Sequence, residues 1–433
     1  MQGQLDLNSE ETLVKRTINH QSKQSVTFKG GQDRLAHRWF RLTPSYSPDL
    51  VSSLLDRFGS EDTRVFDPFL GRGTTAIECR LRKIPCVGIE INPALWFASN
   101  TSLRWDAKPT QIRKQISDIV AECQVEQIQF ASLTLKDLST KIGIPIPPIY
   151  NVMRWWREDV LKSLILIHRA INRLQAESPY QELLLLALMS ILTDTANITL
   201  GRLQLHFIDR SNDKIDALGS FLTAAMVIAD DLERLADRGP CAESRVYQGD
   251  NRNAPNLLGD YKANLVITSP PYPNRYSYVW NTRPHLYFMQ WMSSASQASA
   301  LDCQTIGGTW GTATSRHLKG SHAYSDCAVE AVVGRVVDEI RTKDLLMSNY
   351  VARYFDDLYQ SIQATKLCLE PGSICAYVVG NSRAKGTIVE TQDLLASLFQ
   401  KLGFTATGNE EIRRRNSGRE LHETIVFARL NAA

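Results

Sequence analysis

Apolar and polar positions follow three successive styles along this chain. From about residue 35 to 102, short apolar runs alternate with glycines, as strand–turn–helix units do. The stretch TRVFDPFLGRGTTAIECRLRKIPCVGIEINPALW predicts a strand at Val65 and Phe66, a glycine-rich turn, a short helix and a second strand over CVGIE. Such a βαβ unit implies parallel strands and a right-handed crossover. From about 110 to 240 the apolar spacing becomes three and four residues. DVLKSLILIHRAINRLQAE, ELLLLALMSILTDTANITL and KIDALGSFLTAAMVIADDLERLADRG each predict a helix, and GIPIPPIYN, with Pro145, Pro147 and Pro148, predicts a rigid linker. From about 245 strand patterns return in SRVYQGD, ANLVITSPPY, GSICAYVVGN and ETIVFARL. The segment YVARYFDDLYQSIQATKLCLEPGS predicts a helix closed by Pro371-Gly372. Between them, residues 273–345 are rich in Ser, Thr, Gly and aromatics with little periodicity, and irregular stretches that long are usually functional or disordered.

Strands on both sides of a helical block belong most simply to one sheet. The expected architecture is therefore an α/β catalytic domain over 35–105 and 241–433, interrupted by an all-helical insertion at 106–240. An N-terminal arm, 1–34, precedes it.

Composition changes this picture little. The chain has 433 residues, 43% apolar and 22% charged, as globular proteins do. Lys and Arg total 49 against 46 Asp and Glu, so the net charge of +3 signals no polycation, although a local basic face is compatible with nucleic acid. Eight cysteines without a CxxC pair point to reduced thiols in a cytoplasmic protein. The N-terminus lacks a signal peptide's apolar core. LLLLALMSIL, from Leu183, is about half the length that crosses a bilayer, so no membrane partner is expected.

Two motifs sit at strand ends. In FDPFLGRGTT, Gly71 and Gly73 lie where a strand hands over to a helix, leaving backbone N–H groups near the helix start. Glu90 then ends the second strand, where an acid can accept both hydroxyls of a ribose. Taken alone, this is equally a tight turn with an acidic cap. The third glycine of a dinucleotide loop is missing, so a nucleoside cofactor without phosphates fits better than NAD. TSPPY, residues 268–272, follows another strand. Its prolines stiffen the turn, so Ser269 and nearby carbonyls become fixed acceptors beside the Tyr272 ring, a set that matches an amino group on a planar heterocycle. A proline-terminated strand with a core tyrosine is the structural alternative.

Together, DPFLGRGTTAIE…GIEINP and LVITSPPY resemble the S-adenosylmethionine-dependent amino-methyltransferases of DNA, marked by an FxGxG loop and a [D/N/S]-P-P-[Y/F/W] tetrapeptide. The resemblance covers roughly residues 30–102 and 245–430 and implies a Rossmann-like class I methyltransferase sheet with helices on both faces. The serine form resembles the N4-cytosine enzymes, with N6-adenine as the alternative, an RNA amino-methyltransferase as another, and a silent DNA-binding subunit as a fourth. It implies catalytic roles for Ser269, Pro270, Pro271 and Tyr272 on a flipped base of double-stranded DNA. For S-adenosylmethionine it implies His37, Ser47 and Pro48 near the methionine end, and a loop of Phe66, Asp67, Gly71, Gly73 and Thr74, with Asp67 on the ammonium group. Glu90 would take the ribose, Asn92 would lie at the adenine edge, Asp250 would take the adenine amino group, and Thr268 would flank the tetrapeptide. VVGNS, residues 378–382, is similar to a strand that shapes the target-base pocket. A cognate restriction endonuclease is the implied partner. The cofactor loop precedes the tetrapeptide, the reverse of the order common in serine-type enzymes, so both the insertion and residues 273–345 are candidates for reading DNA.

In the mechanism this implies, Ser269 and the Pro270 carbonyl accept the amine hydrogens, and transfer is direct, without a cysteine adduct. RRRNSGR, residues 413–419, is either a phosphate-contacting loop or a solvated hairpin tip. NRYSYVWNTRPHLYFMQW is either a base-flipping rim or interior aromatics. RLRK, residues 80–83, complements the dipole of the helix it ends. Cys303, His317, His322 and Cys327 match no metal-ligand spacing, and no metal is expected.

Overall fold

The structure, a computed structural model, describes residues 31, 33–41, 45–200, 204–239, 241–309, 314–315, 320, 322–415 and 420–432. The strands are β1 (Val65–Asp67), β2 (Cys86–Glu90), β3 (Ile198–Leu200), β4 (Leu205–Phe207), β5 (Ser244–Gln248), β6 (Ala263–Thr268), β7 (Leu369–Gly380), β8 (Ser382–Ala384), β9 (Thr387–Val389), β10 (Phe404–Arg414) and β11 (His422–Leu430). Seven of them form one sheet in the order β10-β11-β7-β6-β1-β2-β5. From β5 to β7 the pairing is parallel; β11 runs antiparallel to both β7 and β10. This is a Rossmann-like, doubly wound α/β sheet. Its strand order reverses between β1 and β6, and ligands bind beyond the carboxyl ends of strands at such a switch point.

Both sheet faces are covered. Period-2 alternation sends Val65, Leu265, Ile267, Ala376, Val378, Ile425 and Phe427 into one core, and Phe66, Val266, Cys375, Tyr377, Val379, Val426 and Ala428 into the other. The first face is packed by α1 (Pro48–Phe58), α2 (Thr74–Leu81) and α3 (Pro93–Thr101). In α1, Ser47 caps the first turn, Pro48 occupies its first position, and Leu50, Val51, Leu54 and Leu55 face inward. Between α3 and β5 come α4 (Pro109–Gln129), α5 (Leu135–Ile142), α6 (Val152–Trp155), α7 (Glu158–Asn172), α8 (Pro179–Ile191), the β3–β4 hairpin and α9 (Ala217–Ala236). The segment expected to be all-helical thus also carries a small antiparallel hairpin.

After β5 come α10 (Ala254–Leu258), α11 (Tyr278–Phe288), α12 (Ala295–Gln304), α13 (Cys327–Arg341), α14 (Leu345–Leu367) and α15 (Thr391–Lys401). Residues 273–345, read as irregular, therefore contain α11, α12 and α13 among the described residues. α11 and α12 escaped the period because α11 buries Asn281, Thr282, Arg283 and His285 as well as apolar residues, and α12 buries Ser299 and Asp302. Pro371-Gly372 does not close a helix either. α14 ends at Leu367, and the pair lies inside β7, in an irregularity where Ala263 and Leu265 of β6 face Leu369 and Ile374.

The eight cysteines are all free thiols. Among the described residues no helix is long and apolar enough to cross a membrane, and no group of three His, Cys, Asp or Glu could hold a metal ion. His322 pairs with Asp356 instead, and His317 lies outside the described residues.

Candidate active site

The switch point is built by the ends of β1 and β6. Asp67 ends β1, is fully buried, and is surrounded by donors: Thr268 Oγ1 at 2.5 Å, Thr75 Oγ1 at 2.6 Å, Tyr46 Oη at 3.1 Å and the Phe69 N–H at 3.0 Å. Burial pushes its pKa up, against the pull of these donors. Thr268 and Asp67 are thus joined directly, so the glycine loop and TSPPY share one edge of the sheet.

In that loop Gly71 and Gly73 have φ of 56° and 95°. A Cβ on Gly73 would lie 3.0 Å from the Ser99 side chain, whereas a Cβ on Gly71 would meet nothing nearer than 4.0 Å, so the turn is open on that side. Phe66 is buried in the sheet core and Thr74 begins α2, with its Oγ1 buried and without a partner among the described residues.

Glu90 ends β2. Its Oε2 accepts from Gly71 N at 2.9 Å and its Oε1 from Asn92 N at 2.8 Å, while burial raises its pKa to about 7. The Ile91 N–H also reaches this carboxylate, so three backbone donors hold it in place. The Tyr278 phenol, at the start of α11, lies near enough for the Glu90 charge to raise its pKa further above what burial alone gives.

Several expected ligand residues instead hold the frame. Asn92 caps α3, accepting from Ala94 N at 3.0 Å and donating to Thr282 of α11 at 2.8 Å. Asp250 accepts from the Arg252 backbone N–H and from its guanidinium, which also reaches Asp357 at 2.6 Å. The adenine-side groups of both residues are therefore already engaged. His37 is buried, held neutral by burial with a pKa near 4, and its Nε2 meets Glu78 at 2.9 Å. Ser47 and Pro48 start α1.

TSPPY leaves β6 beside β7. Tyr354 of α14 donates to the Pro271 carbonyl at 2.8 Å, and among the described residues no donor meets the Pro270 carbonyl. Ser269 lies within hydrogen-bonding reach of the Tyr272 hydroxyl. The Tyr272 ring packs on Gly380, where a Cβ would come within 2.9 Å of it, and the Arg415 guanidinium carbon lies 5.7 Å from its centroid. Arg415 also donates to the Asn381 carbonyl at 2.9 Å. The arginines of RRRNSGR thus divide: Arg413 pairs with Glu423, Arg414 is exposed, Arg415 turns toward Tyr272, and 416–419 lie outside the described residues. α11 and the segment before it supply Tyr278 and Thr282 to the site, while Arg283 and Trp280 stack on each other at 4.6 Å.

Sequence reasoning gave no role to Tyr46, Arg72, Thr75 or Tyr354, and took Tyr278 and Arg415 only as members of a candidate base-flipping rim and a candidate phosphate-contacting loop. Tyr46 and Thr75 adjoin quoted motif residues and carry hydroxyls beside a strand-end acid. Tyr354 has no local signal, because it reaches the site from a helix about 80 positions downstream of the tetrapeptide.

No protein-family model matches this chain. It is 23% identical over 286 residues to the Type II methyltransferase M.BsoBI of Geobacillus stearothermophilus, covering 60% of this chain and 53% of that protein. It is 21% identical over 405 residues to the Type II methyltransferase M.MvaI of Kocuria varians, covering 90% of this chain and 86% of its relative. The chain thus spans about half the length of the first relative and most of the second. Among solved structures, the rRNA methyltransferase aviRa from Streptomyces viridochromogenes matches with a TM-score of 0.32 and 11% identity over 89% of this chain and 86% of that one, a likeness too low to carry an argument.

Proposed function

We propose that this chain is an S-adenosylmethionine-dependent DNA methyltransferase that modifies the exocyclic N4 amine of cytosine, as the modification component of a restriction–modification system. The observation that carries the reading is the joining of TSPPY to the glycine loop through the Thr268–Asp67 hydrogen bond at the switch point. The Type II methyltransferase relatives support the reaction class, and the serine of the tetrapeptide supports cytosine.

The residues present fit the cofactor. Gly71 leaves open space, Glu90 offers lone pairs to a ribose diol, and Asp67 is a buried acid that meets hydroxyl and N–H donors. Phe66, Gly73 and Thr74 shape the turn, and Asn92 and Asp250 frame the adenine side. His37, Ser47 and Pro48 set the segment that carries Tyr46 over Asp67. When bound, S-adenosylmethionine supplies an electrophilic methyl group.

The target amine is a weak nucleophile because its lone pair delocalises into the ring. Ser269 Oγ and the Pro270 carbonyl accept its two hydrogens and draw the nitrogen toward a tetrahedral shape, with the lone pair directed at the methyl group. Two fixed proline φ angles and the Tyr354 bond to Pro271 hold these acceptors still. Tyr272 offers its ring to the base, which must leave the duplex to reach Ser269.

The test is methylation of plasmid DNA by the purified protein, followed by digestion to nucleosides and mass spectrometry. N4-methylcytosine is expected. N6-methyladenine as the sole product moves the reading to adenine, and transfer to RNA but not DNA removes DNA as the substrate.

A further inference from the structure

Among the described residues, two buried charges of the glycine loop lack a counter-charge. Asp67 meets hydroxyls and one backbone N–H but no cation. Arg72, five positions later, is 5% exposed. Its Nη1 donates to the His37 carbonyl at 2.7 Å and the Phe40 carbonyl at 3.4 Å, and its Nε donates to Ser45 Oγ at 3.1 Å. Among the described residues no carboxylate lies within ion-pair distance of it. Burial lowers its pKa to about 10, and the Tyr46 phenol is the only charge-bearing group that opposes this. Chains seldom bury a guanidinium among neutral acceptors, because desolvation goes uncompensated. The two charges are also neighbours through the backbone: Ser45 touches Arg72, and Tyr46 touches Asp67.

An α-amino acid carries the two complementary charges on one carbon. We propose that Arg72 is the residue that binds the carboxylate of the cofactor's methionine moiety, across the Ser45–Tyr46 step from Asp67, which takes the ammonium group. This rests on S-adenosylmethionine being the cofactor. It assigns the arginine of GRG to ligand binding, where its contacts alone would make it a latch holding residues 37–45 on the loop. Nε and Nη1 are committed to Ser45, His37 and Phe40, while Nη2 donates to no partner among the described residues and is the nitrogen that would meet the carboxylate.

The test is isothermal titration of the full chain with three ligands. S-adenosylhomocysteine carries the amino-acid end, its decarboxylated analogue lacks only the carboxylate, and 5′-methylthioadenosine lacks the whole amino-acid end. For the wild type, loss of the carboxylate should weaken binding about tenfold or more, the size of one charge-assisted hydrogen bond. Arg72→Gln should weaken S-adenosylhomocysteine by a similar factor, leave 5′-methylthioadenosine within about twofold, and abolish the preference for the carboxylate. Arg72→Lys should keep part of that preference. If Arg72→Gln weakens all three ligands alike, Arg72 is a latch and the proposal is overturned. Should Arg72→Gln fail to fold, the wild-type comparison still decides, since a carboxylate worth less than about twofold overturns it too. A wild type that binds none of the three ligands sinks the cofactor reading itself, which is a different result.

Discussion

Asp231 of α9 should be the residue that fastens the helical insertion to the cofactor side of the sheet. Its carboxylate is fully buried. Oδ2 accepts from the Ala36 N–H at 3.1 Å, Arg38 Nε at 3.1 Å and Trp39 Nε1 at 2.8 Å, while Oδ1 accepts from Arg38 Nη2 at 2.5 Å. Asp231→Ala leaves two buried donors, Ala36 N–H and Trp39 Nε1, without acceptors. At about 1–3 kcal/mol each, that costs about 2–6 kcal/mol in total. The Arg38 side chain is a quarter exposed and can turn to water, so it adds little. Asp231→Asn keeps one carbonyl oxygen where Oδ2 stands, retains both buried bonds and loses only the charge pair, for about 1 kcal/mol. Urea unfolding followed by circular dichroism gives both numbers from midpoint shifts at unchanged slope. Equal costs for Ala and Asn, or an Ala cost below about 1 kcal/mol, would refute the assignment of Oδ2 as the shared acceptor.

Three further outcomes follow from the site. Ser269→Ala should cut methyl transfer severely and leave S-adenosylhomocysteine affinity within about twofold, measured by transfer of labelled methyl and by titration; full activity in this variant would remove Ser269 from catalysis. Gly380→Ala places a methyl against the Tyr272 ring, so turnover should fall while cofactor affinity holds; unchanged kinetics would mean the ring can shift freely. Glu90 has a folded pKa of about 7, raised by burial above its ordinary value, so it gains charge as pH rises through 7. The ionised form accepts ribose hydroxyls best, and cofactor affinity should therefore rise about tenfold from pH 6 to pH 8, an increase that Glu90→Gln abolishes. The same sign makes folding less favourable as pH rises from the ordinary value of 4.5 to about 7, since over that window the folded state holds the proton more tightly than the unfolded one. A flat affinity profile in the wild type would count against Glu90 as the ribose acceptor.

How much of this was legible in the sequence depends on the length scale of the signal. β1, β2, β5 and β6 and the loop between β1 and α2 were readable because strand alternation and glycine placement are local. The switch point was readable in part, since both motifs end strands, although the neighbouring of β1 and β6 is a property of the sheet. α11 and α12, which follow TSPPY, were not readable, although α14 beyond them was. Thr282 binds Asn92, Asn281 donates to the Ser277 carbonyl, and Ser277 binds Asp302, so their polar residues are buried with partners and erase the apolar stripe. Asn92 and Asp250 carry tertiary contacts that the sequence does not show: Ala94 and Thr282 engage the first, and Arg252 the second.

The central strands bear on synthesis. Arg64, just before β1, donates its backbone N–H to Asn264 Oδ1 at 2.9 Å, within β6 and 200 positions later, and Cys86 of β2 faces Ser244 of β5. At about 5–20 residues per second, β1 therefore leaves the ribosome roughly 10–40 seconds before β6, its neighbour on one side, exists. During that interval β1 has only β2 to pair with. The helices of the insertion pack on one another, α4 on α7 and α9 and α8 on α7 and α9, and can form meanwhile, so the insertion shortens the distance over which the sheet's ends must later find one another.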